Sequence, residues 1–452
     1  MIKKLFSFFH KGDQDASFVL KKSVLALSVR LGGMITQYVF IFIVARLYGP
    51  KEQGAFTLCF TVLQLFAIFS QMGLDNRLVR IIAANRDNGD ASIIKTTYLQ
   101  SLRLTLIASS IWAIATFLAA PFIAGTIFSK PELTDELQQT CMAFVPFVII
   151  GLNSAGFRGF KNMTGFMIFK GIQPLLSAIL LLVIFYMKSS LGVVDAYTYA
   201  MIGTCILSFI TWWRFSKISH AVYKPEVNWN QMLSESMPMM LTGSMFFILG
   251  WTDNIILGIF RSSEEVGMYD AAFKLSTLSA IVLLAINAIQ APMFSELYNK
   301  NELGRLQQII LKSNRLLFFT SLPLTLILCF FPETILGFLG EGFKGAWLAL
   351  ILLSIGNFVN SITGSIGILL QMSGHQKQYN NIITTAAIGS VLLNFILIPK
   401  MGLVGAAISS SAAKIIQNLI SVGYAKKKLG IISIYLPGFE KLKFLKNKNA
   451  TK

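Results

Sequence analysis

The chain has 452 residues, 54% of them hydrophobic and 13% charged, with 39 Lys and Arg against 21 Asp and Glu for a net charge of +18. Soluble chains carry about 25% charged residues, so this composition excludes an ordinary soluble domain and indicates an all-α polytopic membrane protein. In such a chain a positive balance serves topology and contact with anionic lipid. No RNA- or DNA-binding motif accompanies it, so nucleic acid is not an expected partner.

The N-terminal stretch "MIKKLFSFFHKGDQD" holds only a short apolar patch, too brief for a signal-peptide core, and is expected to lie on the membrane surface. Runs long enough to cross ~30 Å of hydrocarbon follow. They fall near 20–47, 54–76, 97–120, 139–160, 165–187 and 196–215, then near 236–260, 267–293, 315–339, 345–371, 379–399 and 404–425. About twelve spans are thus expected in two bundles, 1–217 and 236–425, joined by a cytoplasmic linker at 218–235 and followed by a basic cytoplasmic tail at 426–452. On the side of the termini these spans leave 28 Lys and Arg, against seven on the other side. By the positive-inside rule both termini are cytoplasmic.

Little in the chain suggests an enzyme. Cys59, Cys141, Cys205 and Cys329 lie in or beside apolar runs and form no CxxC pair. His10, His220 and His375 fall in cytoplasmic joints. The "DQD" at 13–15 has no catalytic domain around it, and no P-loop occurs. No cofactor or metal is expected.

The two halves repeat. "YGPKEQGAF" closes the first span and "RSSEEVGMY" the seventh, with Gly54 aligned to Gly267 at an offset of 213 residues. "FKNMTGFMIFK" is similar to "LQMSGHQKQYN" at an offset of 209, which places Gly165 on Gly374. Two homologous halves beginning on the same membrane side are the expectation.

"WTDNIILGIFRSSEEVGMYDAAFKL" resembles the hairpin of spans seven and eight in bacterial O-antigen and capsular polysaccharide flippases. "VARLYGPKEQGAFTL" and "QMGLDNRLVRIIA" resemble segments around that family's second span. The family belongs to the multidrug/oligosaccharidyl-lipid/polysaccharide exporter superfamily, and the resemblance covers residues 18–425. It implies two six-helix bundles around a central cavity in the bacterial inner membrane. The implied cargo is an undecaprenyl-diphosphate-linked oligosaccharide, flipped outward on an H+ or Na+ gradient, in contact with polysaccharide polymerase and chain-length machinery.

Charges inside spans are the candidate site, because an ionisable group in hydrocarbon is costly and usually faces a wet interior. Arg30, Arg103 and Lys274 suit a diphosphate through charge-assisted hydrogen bonds. Lys414, on the last span, is a weaker candidate. Asp253 is read as the one deep carboxylate. With the loop taken as "RSSEEV", Asp253 and Lys274 stand equally far from its centre, at equal depth roughly 12 Å below it. They form either a structural ion pair or a substrate-handling pair. Gln37, Asn153, Asn254, Asn287, Gln290, Asn357, Asn360 and Asn394 offer amides to sugar hydroxyls or to neighbouring helices. The alternatives are a cation-coupled multidrug exporter, a peptidoglycan-precursor (lipid II) flippase, or a scaffold without transport. The first would favour deep acids in the first half, which has none; relatives of the second usually carry two further spans.

Overall fold

The computed structural model describes residues 14–86, 91–216, 218, 221–223 and 229–437, and among these no β-strand occurs. Helix is the expected answer in lipid, where each backbone N–H and C=O must find its partner within the segment. α1 spans Gln14–Gln71 and changes direction at Gly49 (φ 81°, ψ −178°), a backbone state that favours glycine. Pro50 follows, where the helix restarts and needs no N–H. α2 (Leu74–Asn85) buries Leu74, Leu78 and Ile82, one stripe at helical spacing. Then come α3 (Ala91–Phe122), α4 (Phe144–Gly159), α5 (Met163–Tyr186) and α6 (Val193–Ser216). The later helices are α7 (Trp229–Phe260), α8 (Ser263–Thr277), α9 (Ile281–Asn299), α10 (Leu303–Phe330), α11 (Trp347–Thr363), α12 (Ile366–Met372), α13 (Gln376–Met401) and α14 (Leu403–Leu429).

Ten helical runs among the described residues are long and apolar enough to cross a membrane. One of them, Leu31–Gln71, covers most of the two spans expected either side of Gly49. The span expected at 236–260 lies in α7, many of whose side chains fall outside the described residues, and it is not among the ten. The exposed faces are apolar in a helical pattern. On α3, Ile107, Ile111, Ile114 and Leu118 are all exposed, the last at 73%. On α13 the same holds for Ile388, Leu392, Phe395 and Ile396. Such contiguous apolar stripes belong against lipid tails rather than water. This is a multi-pass membrane protein.

The chain divides into two compact units, 1–48 with 58–247, and 49–57 with 248–452. The short segment that follows the first span therefore packs with the second unit, and that unit begins inside α7 rather than at its start. In the first unit, Thr36 Oγ1 donates to the Gly171 carbonyl at 2.9 Å, where Gly33 and Gly171 bring α1 and α5 close together. Tyr98 Oη donates to Asn153 Oδ1 at 2.7 Å and Asn153 Nδ2 to Ser208 Oγ at 3.0 Å, tying α3, α4 and α6. Asn153 is thus a bridge between helices.

In the second unit, Gly54 and Gly267 meet. A Cβ on Gly54 would stand 1.6 Å from the Ser263 carbonyl oxygen, and one on Gly267 would stand 2.0 Å from that of Pro50. The two glycines that align as repeat partners are therefore each other's close neighbours. The first repeat offset also extends further along the chain than the sequence comparison indicates. Left-handed residues Lys161 (φ 57°) and Gly374 (φ 81°) are 213 residues apart. The starts of α5 and α13, Met163 and Gln376, share that offset. The 209-residue alignment of Gly165 with Gly374 is corrected accordingly: Gly165 lies in the first turn of α5, where its N–H is capped by Asn162 Oδ1 at 2.9 Å. Backbone conformation, not residue identity, is what repeats at this turn.

Candidate functional site

The second unit holds a buried polar cluster centred on Asp253, which α7 carries and which is 5% exposed. Three uncharged donors converge on its carboxylate. Tyr269 Oη of α8 donates to Oδ2 at 2.7 Å. Asn394 Nδ2 of α13 donates to Oδ1 at 2.5 Å, and Ser410 Oγ of α14 donates to Oδ2. The Lys414 ammonium, one turn beyond Ser410 on the same face of α14, is the electrostatic counterpart of the carboxylate. Lys414 Nζ in turn donates to Asn357 Oδ1 at 2.8 Å, and Asn357 Nδ2 donates to Ser276 Oγ at 2.9 Å. A buried carboxylate needs hydrogen bonds or an opposite charge to offset its burial, and here the three donors do most of that work while Lys414 adds a weaker attraction from farther away.

This arrangement corrects the expected Asp253–Lys274 pair. α7 ends at Phe260 and α8 begins at Ser263, so the turn is Arg261–Ser262 rather than six residues. Recentring the hairpin there brings Asp270, not Lys274, level with Asp253. Lys274 lies one turn farther along α8 and bonds Asp270 Oδ2 at 2.6 Å within its own helix. Gln53 Nε2 donates to the same oxygen at 3.1 Å. Asp270 is 2% exposed, so Asp253 is not the one deep carboxylate.

Two signals for this lay in the sequence. Ser262 and Glu265 have capping-box spacing, which marks a helix start at 263; Ser262 Oγ accepts the Glu265 N–H at 3.3 Å. Asp270 and Lys274 have the spacing of an intrahelical ion pair. Tyr269, Ser410 and the central place of Lys414 carried no such signal.

The hairpin end is anchored to the α13–α14 turn. Arg261 donates from Nε to the Ile398 carbonyl at 3.3 Å and from Nη2 to that of Pro399 at 2.9 Å. Glu265 Oε2 accepts the Leu403 N–H at 3.2 Å. These bonds hold Asp253 and Tyr269 opposite Asn394 and Ser410.

The other candidates are dispersed. Asn254 is buried beside Asp253 in sequence, with its Oδ1 unpartnered. Asn287 Oδ1 on α9 is also buried and unpartnered, but it borders a separate cavity. Gln290 Nε2 donates to Ser313 Oγ at 2.6 Å. In the first unit, Gln37 is exposed on α1. Arg103 is exposed too, its guanidinium 5.5 Å from the Tyr223 ring centroid and its Nη1 3.5 Å from Tyr223 Oη. The Arg30 side chain, the N-terminal stretch 1–13 and the tail beyond 437 lie outside the described residues.

The fold is shared with solved transporters. An inward-facing multidrug resistance MATE family transporter of the MOP superfamily matches with a TM-score of 0.74 at 15% identity, over 90% of this chain and 98% of that one. The lipid II flippase MurJ, in its inward closed conformation, matches with a TM-score of 0.72 at 14% identity, over 90% of this chain and 87% of that one. The fold defines the class: a multi-pass helical membrane protein with the architecture of these transporters. A Haloferax volcanii protein named "Probable low-salt glycan biosynthesis flippase Agl15" is 22% identical over 91% of this chain and 84% of its own length. Residues 19–298 match the family model described as polysaccharide biosynthesis protein, and the chain belongs to that family.

Proposed function

We propose that this protein carries an undecaprenyl-diphosphate-linked oligosaccharide, the repeat unit of a surface glycan, from the cytoplasmic to the outer leaflet by alternating access. Its family is one of polysaccharide biosynthesis, and a relative with similarity along most of the chain is named as a glycan biosynthesis flippase. The observation that carries the reading is that both buried acids already have partners within the unit. Asp270 is neutralised by Lys274, and Asp253 is compensated by three donors and Lys414. A site for a cationic drug needs acids left uncompensated for the ligand. This unit leaves no such acid at these two positions, which favours a cargo that is neutral or anionic where it is handled. Asp253 is the group through which an H+ or Na+ gradient acts. A cation arriving at its carboxylate competes with Lys414 and the hydroxyl donors and so shifts the packing of α7 against α13 and α14.

The test is deletion of the gene followed by fractionation of lipid-linked glycan. Accumulation in the cytoplasmic leaflet with loss of surface polysaccharide, both reversed by the wild-type gene, is expected. Normal surface glycan together with new drug sensitivity would replace this reading with the multidrug exporter.

A further inference from the structure

The second unit contains a cavity of about 270 Å³ apart from the Asp253 carboxylate. We propose that this cavity binds a single uncharged sugar ring of the cargo. The inference rests on the functional reading above for its cargo, but its ligand chemistry is argued from the cavity itself.

Two interrupted helices build the wall. The span expected at 267–293 breaks between α8 and α9, where Leu278–Ala280 tightens to a 3-10 turn. The span expected at 345–371 breaks between α11 and α12 at Gly364 (φ 67°, ψ −149°). Thr277 and Ala280 from the first break and Gly364 and Ser365 from the second all border the cavity. Irregular backbone at membrane depth is tolerated where it is enclosed by protein or lines a polar cavity, and discontinuous helices are a common way to build a transport site. The second break requires small residues. A Cβ on Gly364 would stand 1.8 Å from Asn314 Oδ1, and one on Gly367 would stand 2.3 Å from Tyr379 Oη.

The lining mixes apolar side chains with polar ones and carries no formal charge. Six amides border it; Asn357, Asn418 and Gln417 bond neighbouring protein groups, Asn287, Asn360 and Gln371 complete the set, and no Asp, Glu, Lys or Arg is among the lining residues. Each amide both donates and accepts, as a sugar hydroxyl does, whereas a phosphate asks only for donors and positive charge. Two lining groups lack partners: Asn287 Oδ1 and Ser365 Oγ are buried and make no hydrogen bond, and Ser365 is 5% exposed. Buried polar atoms are normally satisfied, so these two leave unused hydrogen-bonding capacity in the cavity wall. The volume lies below the ~300–1,000 Å³ of pockets for drug-sized ligands, which suits one ring rather than an oligosaccharide. Asn357 lines the cavity while accepting from Lys414, so an occupant would sit against the residue that connects the cavity to the Asp253 cluster.

The test uses the purified full chain in detergent and saturation-transfer NMR. The probes are glucose, galactose, N-acetylglucosamine and N-acetylgalactosamine, with inorganic pyrophosphate as competitor. At least one sugar should saturate the wild type. Its affinity should fall roughly tenfold or more in Asn360→Leu and in Gln371→Leu, each of which removes about one net hydrogen bond. Lys300→Ala, remote on an exposed helix end, should bind as the wild type does. Two variants are used so that a folding failure of one, detected by size-exclusion chromatography, still leaves a result from the other. The proposal is overturned if no sugar saturates the wild type, if binding survives both substitutions, or if pyrophosphate displaces the sugar. Loss of surface glycan on gene deletion without sugar binding would remove the cavity proposal alone. Sugar binding with normal surface glycan would remove the flippase reading alone.

Discussion

Asp253 lies at the centre of the buried polar cluster, and its environment sets the cost of changing it. Tyr269→Phe removes one of three donors and should cost about 1 kcal/mol, the net value of a buried hydrogen bond. Asp253→Ala strands the Tyr269, Asn394 and Ser410 donors together and leaves Lys414 without its counter-charge. Its cost should reach about 3 kcal/mol or more, since each buried orphan costs ~1–3 kcal/mol. Asp253→Asn keeps the shape and one carbonyl acceptor, so it should fold with a smaller loss while removing the charge proposed to respond to a gradient. Thermal unfolding of the purified variants measures the order: Tyr269→Phe mildest, Asp253→Ala most severe. An Asp253→Ala protein as stable as wild type would mean that the cluster holds nothing together. That Asp253 is buried and costly was legible in the sequence as an acid in an apolar run. Its partners were not legible, because they lie on α8, α13 and α14, and helix rotation decides which side chains face one another. Matched depth along a hairpin fixes only one coordinate of three, and a two-residue turn in place of six moved even that one.

At the scale of elements, two kinds of glycine behave oppositely. Gly54 and Gly267 sit where backbones touch, with a carbonyl oxygen 1.6 Å or 2.0 Å from the site of any added Cβ. Backbone cannot swing aside as a flexible side chain can, so Gly54→Ala or Gly267→Ala should destabilise by about 3 kcal/mol or more. Gly32, on the first stretch of α1, has nothing within 4 Å of its Cβ position. There alanine should be neutral or slightly stabilising, because it is the better helix former. Yield of monodisperse protein and its melting temperature check both; equal behaviour of Gly32→Ala and Gly267→Ala would contradict the close contact. The helices and the two-fold repeat were legible as apolar runs and as the match of "YGPKEQGAF" to "RSSEEVGMY". The turn after α4 was misaligned because glycine stands at only one of its two left-handed positions. Lys161 adopts the state that Gly374 adopts more easily, and residue matching looked for a glycine instead. The breaks at Leu278–Ala280 and at Gly364 were hidden for a related reason: each lies within a run apolar enough to read as one continuous span.

For the whole molecule, charge asymmetry yields a topology that can be tested directly. With the four native cysteines replaced by Ser, Asn301→Cys between α9 and α10 should be shielded from a membrane-impermeant maleimide in intact spheroplasts. Ser189→Cys between α5 and α6 should react. Both positions are exposed at helix ends, so access to the reagent decides the outcome. The reverse pattern would invert the orientation and with it the direction of transport. Membrane class and family resemblance were legible at this scale because composition and span pattern are properties of the entire chain. The candidate site was legible only in part, since a cluster assembled from four helices leaves no local motif.

Movement of a lipid-linked glycan between leaflets is tested most directly by reconstitution. Purified protein in liposomes, supplied with a fluorescent undecaprenyl-diphosphate-linked oligosaccharide, is followed by a quencher or glycosidase confined to one side. Wild-type protein should expose the initially protected pool under an imposed H+ or Na+ gradient, and Asp253→Asn should do so much more slowly. Protection unchanged from empty liposomes, with folded protein and either gradient present, would contradict that movement.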